Sequence, residues 1–310
     1  MNVFYPDILS INGLLDDLGL SSGAGLAPEM IGVIMIAVML LAIFVGFPIS
    51  FTLIFLGFVF GAWGFGTKLV FHLQTLQFNN VMLEQTLAAV PLFVFMGIMM
   101  EQAGLMERLF TSVQLMLSRT RGALYLAVLF VSTIFAAATG IVGASVTILG
   151  IMAAKTMNRS GYDVRLAAGT ITAGGTLGIL IPPSIILIVY GVATEQSIAR
   201  LFIAGILPAF MLITLFAGYV AVRAWMNPDL IPPMDQEFSF REKLRASRRL
   251  VPVALLIGGV IGSIYGGLAS PTDAAALGVV LATLLAWGSG SFSWSLFGAA
   301  VMSATRTSCM

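Results

Sequence analysis

Residues 122–154 read GALYLAVLFVSTIFAAATGIVGASVTILGIMAA and carry no charge. As one helix this run would be about 50 Å long at ~1.5 Å per residue, well beyond the roughly 30 Å of a bilayer core. Both flanks are basic, with Arg121 before the run and Lys155 after it. The simplest fold is a re-entrant helical hairpin that enters the membrane and returns to the same side. Its small, glycine-containing middle, residues 138–145, would form the tip.

The composition of the whole chain excludes a water-soluble core. Hydrophobic residues make up 59% of the chain and charged residues only 9%, whereas soluble domains carry about 25% charged residues. The other uncharged runs are residues 30–67, 85–100, 166–194, 201–222, 250–272 and 274–305. They lack the short alternation of outer-membrane strands. We therefore predict an all-α polytopic membrane protein.

The scarcity of reactive side chains excludes several classes of function. A net charge of +1 gives no reason to expect a nucleic-acid partner. One histidine, His72, and one cysteine, Cys309, cannot supply an internal disulfide or the ligand cluster of a zinc site. The sequence offers neither a Ser–His set nor paired aspartates that would suggest an intramembrane hydrolase. We expect no enzyme activity and no organic cofactor.

The distribution of positive charge predicts the topology. Basic residues cluster around 108–121, 155–165 and 223–249, and the positive-inside rule places these loops in the cytoplasm. The acidic segment 1–29 is then expected to be periplasmic. Residues 66–84 are expected to form an outer loop. The 274–305 run is expected to cross the membrane once, back to the cytoplasm.

A second interruption lies in the run 166–194. Residues 174–184 read GGTLGILIPPS. Pro182 and Pro183 have no backbone N–H, so the carbonyls about four residues earlier lose their helical partners. The sequence therefore predicts a broken helix with unpaired carbonyls near the membrane midplane.

A hairpin tip beside a broken membrane helix is an arrangement in which secondary transporters bind ions and substrates. Hydroxyls and freed carbonyls can coordinate Na⁺, and half-helix N-termini can face carboxylates. The candidate hydroxyls at the two breaks belong to Thr139, Ser145, Thr147, Thr176 and Ser184. The glycines that allow close backbone approach are Gly140, Gly143, Gly175 and Gly178. Close helix packing is the alternative role for such small residues.

Five motifs, in order along the chain, carry a family resemblance. They are GFPISFTL at 46–53, VPLFVFMG at 90–97, ATGIVGASV at 138–146, residues 174–184, and SPTDAAA at 270–276. Together they resemble the large, DctM-type membrane subunit of tripartite ATP-independent periplasmic (TRAP) transporters. The ATGIVGAS form is more like the mannitol/chloroaromatic or 2-oxoacid branch than the sialate or C4-dicarboxylate branches.

The resemblance implies a sodium-coupled importer of organic acids in the bacterial inner membrane, with Na⁺ as coupling ion and an elevator-type fold. Its partners would be a small membrane subunit (Q-type), a periplasmic substrate-binding protein (P-type) and an organic anion. The tip and loop would form one sodium site and half of the substrate site. The implied tip positions are Thr139, Gly140, Gly143 and Ser145. The implied loop positions are Gly178, Leu180, Ile181, Pro182 and Ser184, with Thr176 and Pro183 beside them.

The resemblance also implies a division of the chain. The expected segments are a periplasmic segment 1–29, membrane helices and an interfacial segment 30–121, half of a transport domain 122–222, a cytoplasmic loop 223–250, and further membrane helices 251–310. The half transport domain would contain the hairpin 122–154, the broken helix 166–194 and the helix 201–222. Such families carry a second, inverted repeat, and this chain ends near where that repeat would begin. We therefore expect a fragment or a truncated gene, with a transport-inactive scaffold or partner subunit as the alternative function.

Asp273 is the one acidic residue between the last two apolar runs. It could act as a proton-coupling carboxylate. Its position just after Pro271, at a predicted helix start, favours a role as partner of the helix N-terminal dipole.

Overall fold

The structure, a computed structural model, describes residues 28–117, 122–139, 142–227, 247–248 and 250–309. Within these ranges the elements are helices and no strand occurs. The described chain divides into two units, residues 28–84 and 85–309, which are described separately. Among the described residues, three helices are long and apolar enough to cross a membrane: Gln85–Gln102, Ile198–Met226 and Pro271–Gly288. The prediction of an all-α polytopic membrane protein is confirmed.

The first unit contains α1 (Pro28–Val45), α2 (Ile49–Phe65) and α3 (Thr67–Leu83). Helix α1 ends at a turn in which Gly46 has φ +98°, a left-handed conformation that favours glycine. Pro48 precedes the first residue of α2, a position where its missing N–H costs no helical hydrogen bond. The uncharged run 30–67 therefore forms two helices, separated at the Gly46–Pro48 turn.

Helix α3 overturns the prediction of a loop at residues 66–84. The segment is polar enough to resemble a loop, with Lys68, His72 and Asn79 among its residues. However, neither glycine nor proline interrupts Thr67–Leu83, so nothing prevents helix formation. Helix α3 also packs on α2, since a Cβ atom at Gly61 would lie 3.1 Å from a methyl group of Val70.

The second unit begins with a 3₁₀ turn (Gln85–Ala88), α4 (Ala89–Gln102) and α5 (Leu105–Leu117). Helix α4 is the most enclosed of these: Met96 and Met99 are fully buried. Helix α5 is amphipathic and buries Leu109 and Phe110 on its apolar side. Its location at the membrane interface stays a prediction.

The central part of this unit contains the two predicted interruptions. Its helices are α6 (Ala123–Thr139), α7 (Val142–Leu149), α8 (Lys155–Arg159), α9 (Val164–Thr176), α10 (Ile185–Ala193) and α11 (Ile198–Met226). A π-helical turn, Gly150–Ala154, joins α7 to α8 without a stop. Helix α11 extends four residues beyond the predicted end at 222.

The unit closes with α12 (Val251–Tyr265), α13 (Pro271–Gly288) and α14 (Trp294–Ser308). The uncharged run 274–305 is not one continuous helix, because α13 ends at Gly288 and α14 starts at Trp294; the single crossing of the membrane stays a prediction. Between them Gly290 adopts φ +71°, and the Ser293 hydroxyl accepts a 3.1 Å hydrogen bond from the Leu296 amide. A left-handed glycine and a serine cap thus stop one helix and start the next.

Asp273 has the structural role that its position favours. Its carboxylate accepts a 2.6 Å hydrogen bond from the Ser270 hydroxyl and a 3.3 Å bond from the Ser270 amide. The Ser270 hydroxyl accepts in turn from the Asp273 amide at 3.2 Å. This is a capping box at the N-terminus of α13, so the helix-start role is confirmed.

Several predicted features lie outside the described residues. They are nearly all of the periplasmic segment 1–29, the basic residues Arg119 and Arg121, the tip residues Gly140 and Ile141, and most of the cytoplasmic loop 223–250. The side chain of Thr139 is also outside the description, although its backbone ends α6.

Candidate functional site

The helical break falls between Thr176 and Ile185. Helix α9 passes into a 3₁₀ turn at Leu177–Ile179, and α10 begins only at Ile185. The amides of Leu180 and Ile181 both bond to the Leu177 carbonyl, each at 3.1 Å. Pro182 and Pro183 follow, joined by a cis peptide bond, and both are buried. The continuous helix is interrupted because these prolines offer no N–H to the preceding carbonyls.

Ser184 connects the two sides of the break. Its fully buried hydroxyl donates a 2.6 Å hydrogen bond to the Ile179 carbonyl and accepts a 3.4 Å bond from the Leu187 amide. The same hydroxyl therefore satisfies a carbonyl before the prolines and caps α10 after them. Sequence reasoning proposed Ser184 as a cation ligand; in the structure its hydroxyl shapes the loop.

The two arms of the 122–159 segment run back along each other. The rings of Tyr125, near the start of α6, and Tyr162, just beyond α8, meet edge to face at 4.9 Å between centroids. Burial raises the pKa of the Tyr162 phenol, and a backbone hydrogen bond with Leu124 opposes that shift. Leu124 from the first arm and Met157 from the second share one buried cluster. The chain thus leaves and returns at one end; the side of the membrane on which this end lies stays a prediction.

Helix α9 fits against both arms through two adjacent glycines. A Cβ atom at Gly174 would lie 2.8 Å from the Cβ of Ser132 on α6. A Cβ atom at Gly175 would collide with the Val146 side chain and lie 3.1 Å from the Val146 backbone nitrogen on α7. Real Cβ atoms do not approach other atoms this closely, so both positions require glycine. This close contact is the packing role that small residues play between membrane helices.

The 3₁₀ turn at the break contacts the same two arms. Leu177–Ile179 touches both α6 and α7, and Gly178 at its centre is buried. On the α7 side, Ser145 is fully buried and engaged in an interaction, and Gly143 is exposed. Among the predicted site residues, Gly178 therefore lies in a 3₁₀ turn that contacts α7, the helix that carries Gly143 and Ser145.

The other predicted site residues face different parts of the structure. The carbonyl oxygen of Leu180 faces α11, where a Cβ atom at Gly205 would lie 2.8 Å from it. The side chain of Ile181 lines an apolar groove of about 650 Å³ formed with α5, α6 and α12. The hydroxyls of Thr147 and Thr176 are exposed and donate to Gly143 and Ala173 carbonyls within their own helices, both under 3 Å.

Sequence reasoning missed three residues of this region. Gly174 was seen only as part of the interrupted run, and Ser132 and Gly205 were not singled out. The adjacent pair Gly174–Gly175 inside a helical segment was a usable signal, since glycine in a helix interior is unfavourable without a packing reason. Nothing in the sequence alone pairs Gly205 with Leu180, which lies 25 positions earlier.

A hairpin of two helices, packed on a helix that is broken by Pro-Pro, is the architecture of a membrane transport protein rather than of an enzyme. Within the described ranges, no group of three or more His, Cys, Asp or Glu side chains could hold a metal ion. The comparison with known families agrees with this class. The model of the DctM component of tripartite ATP-independent periplasmic transporters matches residues 34–310. The chain belongs to this family of inner-membrane, multi-pass permease subunits.

Individual relatives show the same membership. The chain is 34% identical over 245 residues to the C4-dicarboxylate TRAP transporter large permease protein DctM of Vibrio cholerae, covering 78% of this chain and 52% of the relative. Identity is 37% over 203 residues to the protein of that name in Pseudomonas aeruginosa, covering 65% and 46%. It is 33% over 248 residues to the ectoine/5-hydroxyectoine permease UehC of Ruegeria pomeroyi, covering 80% and 57%. The chain spans about half the length of these relatives.

Proposed function

We propose that this chain serves in sodium-coupled secondary uptake of an organic acid, as part of the large permease subunit of a TRAP transporter. The observation that carries the proposal is the contact of the broken segment Leu177–Ile179 with both arms of the hairpin. The segment in which the second helix is interrupted therefore lies against both helices of the hairpin. Close helix packing alone would not require the helix that begins as α9 to be broken where it meets α6 and α7.

The chemistry available at this contact suits sodium. The broken segment and the hairpin offer backbone carbonyls and the hydroxyl-bearing residues Thr139 and Ser145, and Na⁺ is a hard cation that prefers oxygen ligands. Gly178, which is buried and has no side chain, lies in the turn that contacts the hairpin. Carbonyls in the Gly178–Ile181 segment, other than that of Leu180, which faces α11, together with oxygens of the tip residues 139–145, are the ligands we propose.

The proposed substrate is a carboxylate, delivered by a periplasmic binding protein, with a small membrane subunit as second partner. A helix N-terminus and a bound cation can neutralise a carboxylate without a salt bridge from the protein. The relatives are named for C4-dicarboxylates, ectoine compounds and, in Vibrio cholerae, sialic acid. These names support the organic-acid class. The mannitol/chloroaromatic or 2-oxoacid-like branch indicated by ATGIVGAS stays a prediction.

The proposed site can be tested by making the broken helix continuous. Replacing Pro182 and Pro183 with alanine restores two N–H donors and lets α9 continue through the loop, withdrawing carbonyls from any cation. In proteoliposomes carrying the complete transporter, with binding protein and organic acid outside, we expect sodium-driven uptake to fall to background. Uptake should be measured with and without an inward sodium gradient.

Pro208→Ala is the matched control, because Pro208 is an exposed proline inside α11 and is not part of the broken segment. It should leave the sodium dependence unchanged. Normal uptake and sodium affinity in the double proline variant would refute the site. If the unmodified transporter takes up substrate equally well without sodium, the proposed sodium coupling is wrong.

A further inference from the structure

A groove between α9 and α11 is lined by none of the residues 177–184 of the broken segment. It encloses about 760 Å³ and has an apolar floor that includes Leu129, Phe216 and Val220. Gly169 of α9 lines the groove, and a Cβ atom there would have no atom within 4 Å. The two helices therefore leave an open apolar slot along part of their length.

One end of the groove is charged. Arg165 from the first turn of α9 and Arg223 from the last turn of α11 both line it, and both are exposed. Neither guanidinium forms an ion pair with a carboxylate of the residues that the structure describes. The carboxylate at this end, Asp163, accepts a 2.8 Å hydrogen bond from the Leu166 amide and so caps α9. The mouth of the groove keeps a net positive charge.

This combination of chemistry selects one kind of ligand. An apolar slot that ends at two arginines fits an amphiphile with an anionic head and a hydrocarbon tail. Arginine matches phosphate oxygens with its planar fork of donors, and basic pockets between membrane helices bind anionic lipid head groups. Tyr219, which is 59% exposed beside the arginines, is a residue typical of the lipid–water interface.

The predicted topology places this end of the groove at the cytoplasmic leaflet, where anionic lipids occur. We propose that the groove is a binding site for an anionic glycerophospholipid. Its phosphate lies between Arg165 and Arg223, and one acyl chain lies on the apolar floor. This lipid site is separate from the proposed sodium and substrate site, and lipid binding there depends on neither sodium nor substrate.

The test uses the full chain in nanodiscs of phosphatidylcholine with a minor fraction of phosphatidylglycerol. Either lipid carries a photoactivatable diazirine on its acyl chain, and labelled peptides are mapped by mass spectrometry. We expect the phosphatidylglycerol probe to label segments 163–173 and 215–223 several-fold more than the phosphatidylcholine probe. Each of Arg165→Gln and Arg223→Gln should lower this labelling by about fivefold, the effect of one basic residue near an anionic lipid surface.

Three further variants distinguish an effect of charge from an effect of the shape of the groove. Arg200→Gln changes the same residue type at the opposite end of α11 and should leave the labelling unchanged. Gly169→Phe fills the floor and should reduce labelling by both lipids, whereas Gly218→Phe, on α11 and also without a neighbour within 4 Å, should not. Equal labelling by the two lipids with no response to the arginine variants would overturn the proposal. Absence of label from both segments would also overturn it, because another protein segment would then occupy the groove.

Discussion

The backbone of Gly205 lies directly against the carbonyl oxygen of Leu180. A Cβ atom on Gly205 would stand 2.8 Å from that oxygen and 3.4 Å from a methyl group of Leu187. Helix α11 thus covers one side of the helical break at a point where only a hydrogen atom fits. Because the obstructing atom belongs to the backbone, the loop would have to move to admit a larger residue.

Gly205→Ala should therefore shift the break. Overpacking of this kind costs about 1–3 kcal/mol, and we expect a lower melting temperature in detergent and slower sodium-driven uptake. Gly218→Ala on the same helix is the control. It has open space and should be neutral or slightly stabilising, since alanine is the better helix former. Identical behaviour of the two variants would show that the loop moves to admit the methyl group without a loss of stability.

Gly174→Ala tests the seam between α9 and the first arm of the hairpin. The new methyl group would meet Ser132, and we expect destabilisation of about 1–3 kcal/mol from overpacking. Adding Ser132→Gly removes the obstruction and should recover part of this loss, so the two changes should not be additive. Thermal unfolding of the single and double variants measures the coupling. Strict additivity would contradict the proposed contact.

Ser184→Ala should weaken the loop itself. It removes the bond to Ile179 and the cap of α10, at a cost of about 1–2 kcal/mol. Ser293→Ala is a matched control, because Ser293 caps α14 through the Leu296 amide and lies far from the break in sequence. Both variants should lose stability, but only Ser184→Ala should raise the sodium concentration needed for half-maximal uptake. A similar sodium requirement in both variants would show that Ser184 acts only as a helix cap.

The hairpin topology can be tested by labelling. Single cysteines at Ser118 and Asn158, in a Cys309→Ser background, should resist a membrane-impermeant maleimide in spheroplasts and react only after lysis. A cysteine at Gln196, in the turn before α11, should react from outside. Opposite accessibility of positions 118 and 158 would make the segment a plain crossing of the membrane.

Hydrophobic runs and prolines predicted much of the helical framework. The break after Thr176 follows from local chemistry, because two successive prolines leave the preceding carbonyls without N–H partners. Asp273 was interpretable for the same reason, because its partner Ser270 is three residues away. Polarity was a poorer guide: Thr67–Leu83 is helical although its hydropathy suggested a loop.

The parts that the sequence did not predict depend on distant pairs. No local pattern indicates that Gly205 meets Leu180, or that Gly174 and Gly175 meet different arms of one hairpin. The separation of α13 from α14 was missed because residues 288–291 are small and uncharged, so the apolar run continues across the turn. The hydroxyl of Ser184 was identified as important, but its two partners within the break could be found only from coordinates.

The bonds of Ser184 have a consequence for the kinetics of binding at the break. Its hydroxyl links the Ile179 carbonyl to the Leu187 amide, so the loop keeps its shape through the chain's own hydrogen bonds. A ligand that binds to such a preorganised loop loses little affinity to the entropy of ordering it. At the proposed sodium site, we therefore expect ion entry to be limited by access to the loop rather than by a rearrangement of the loop.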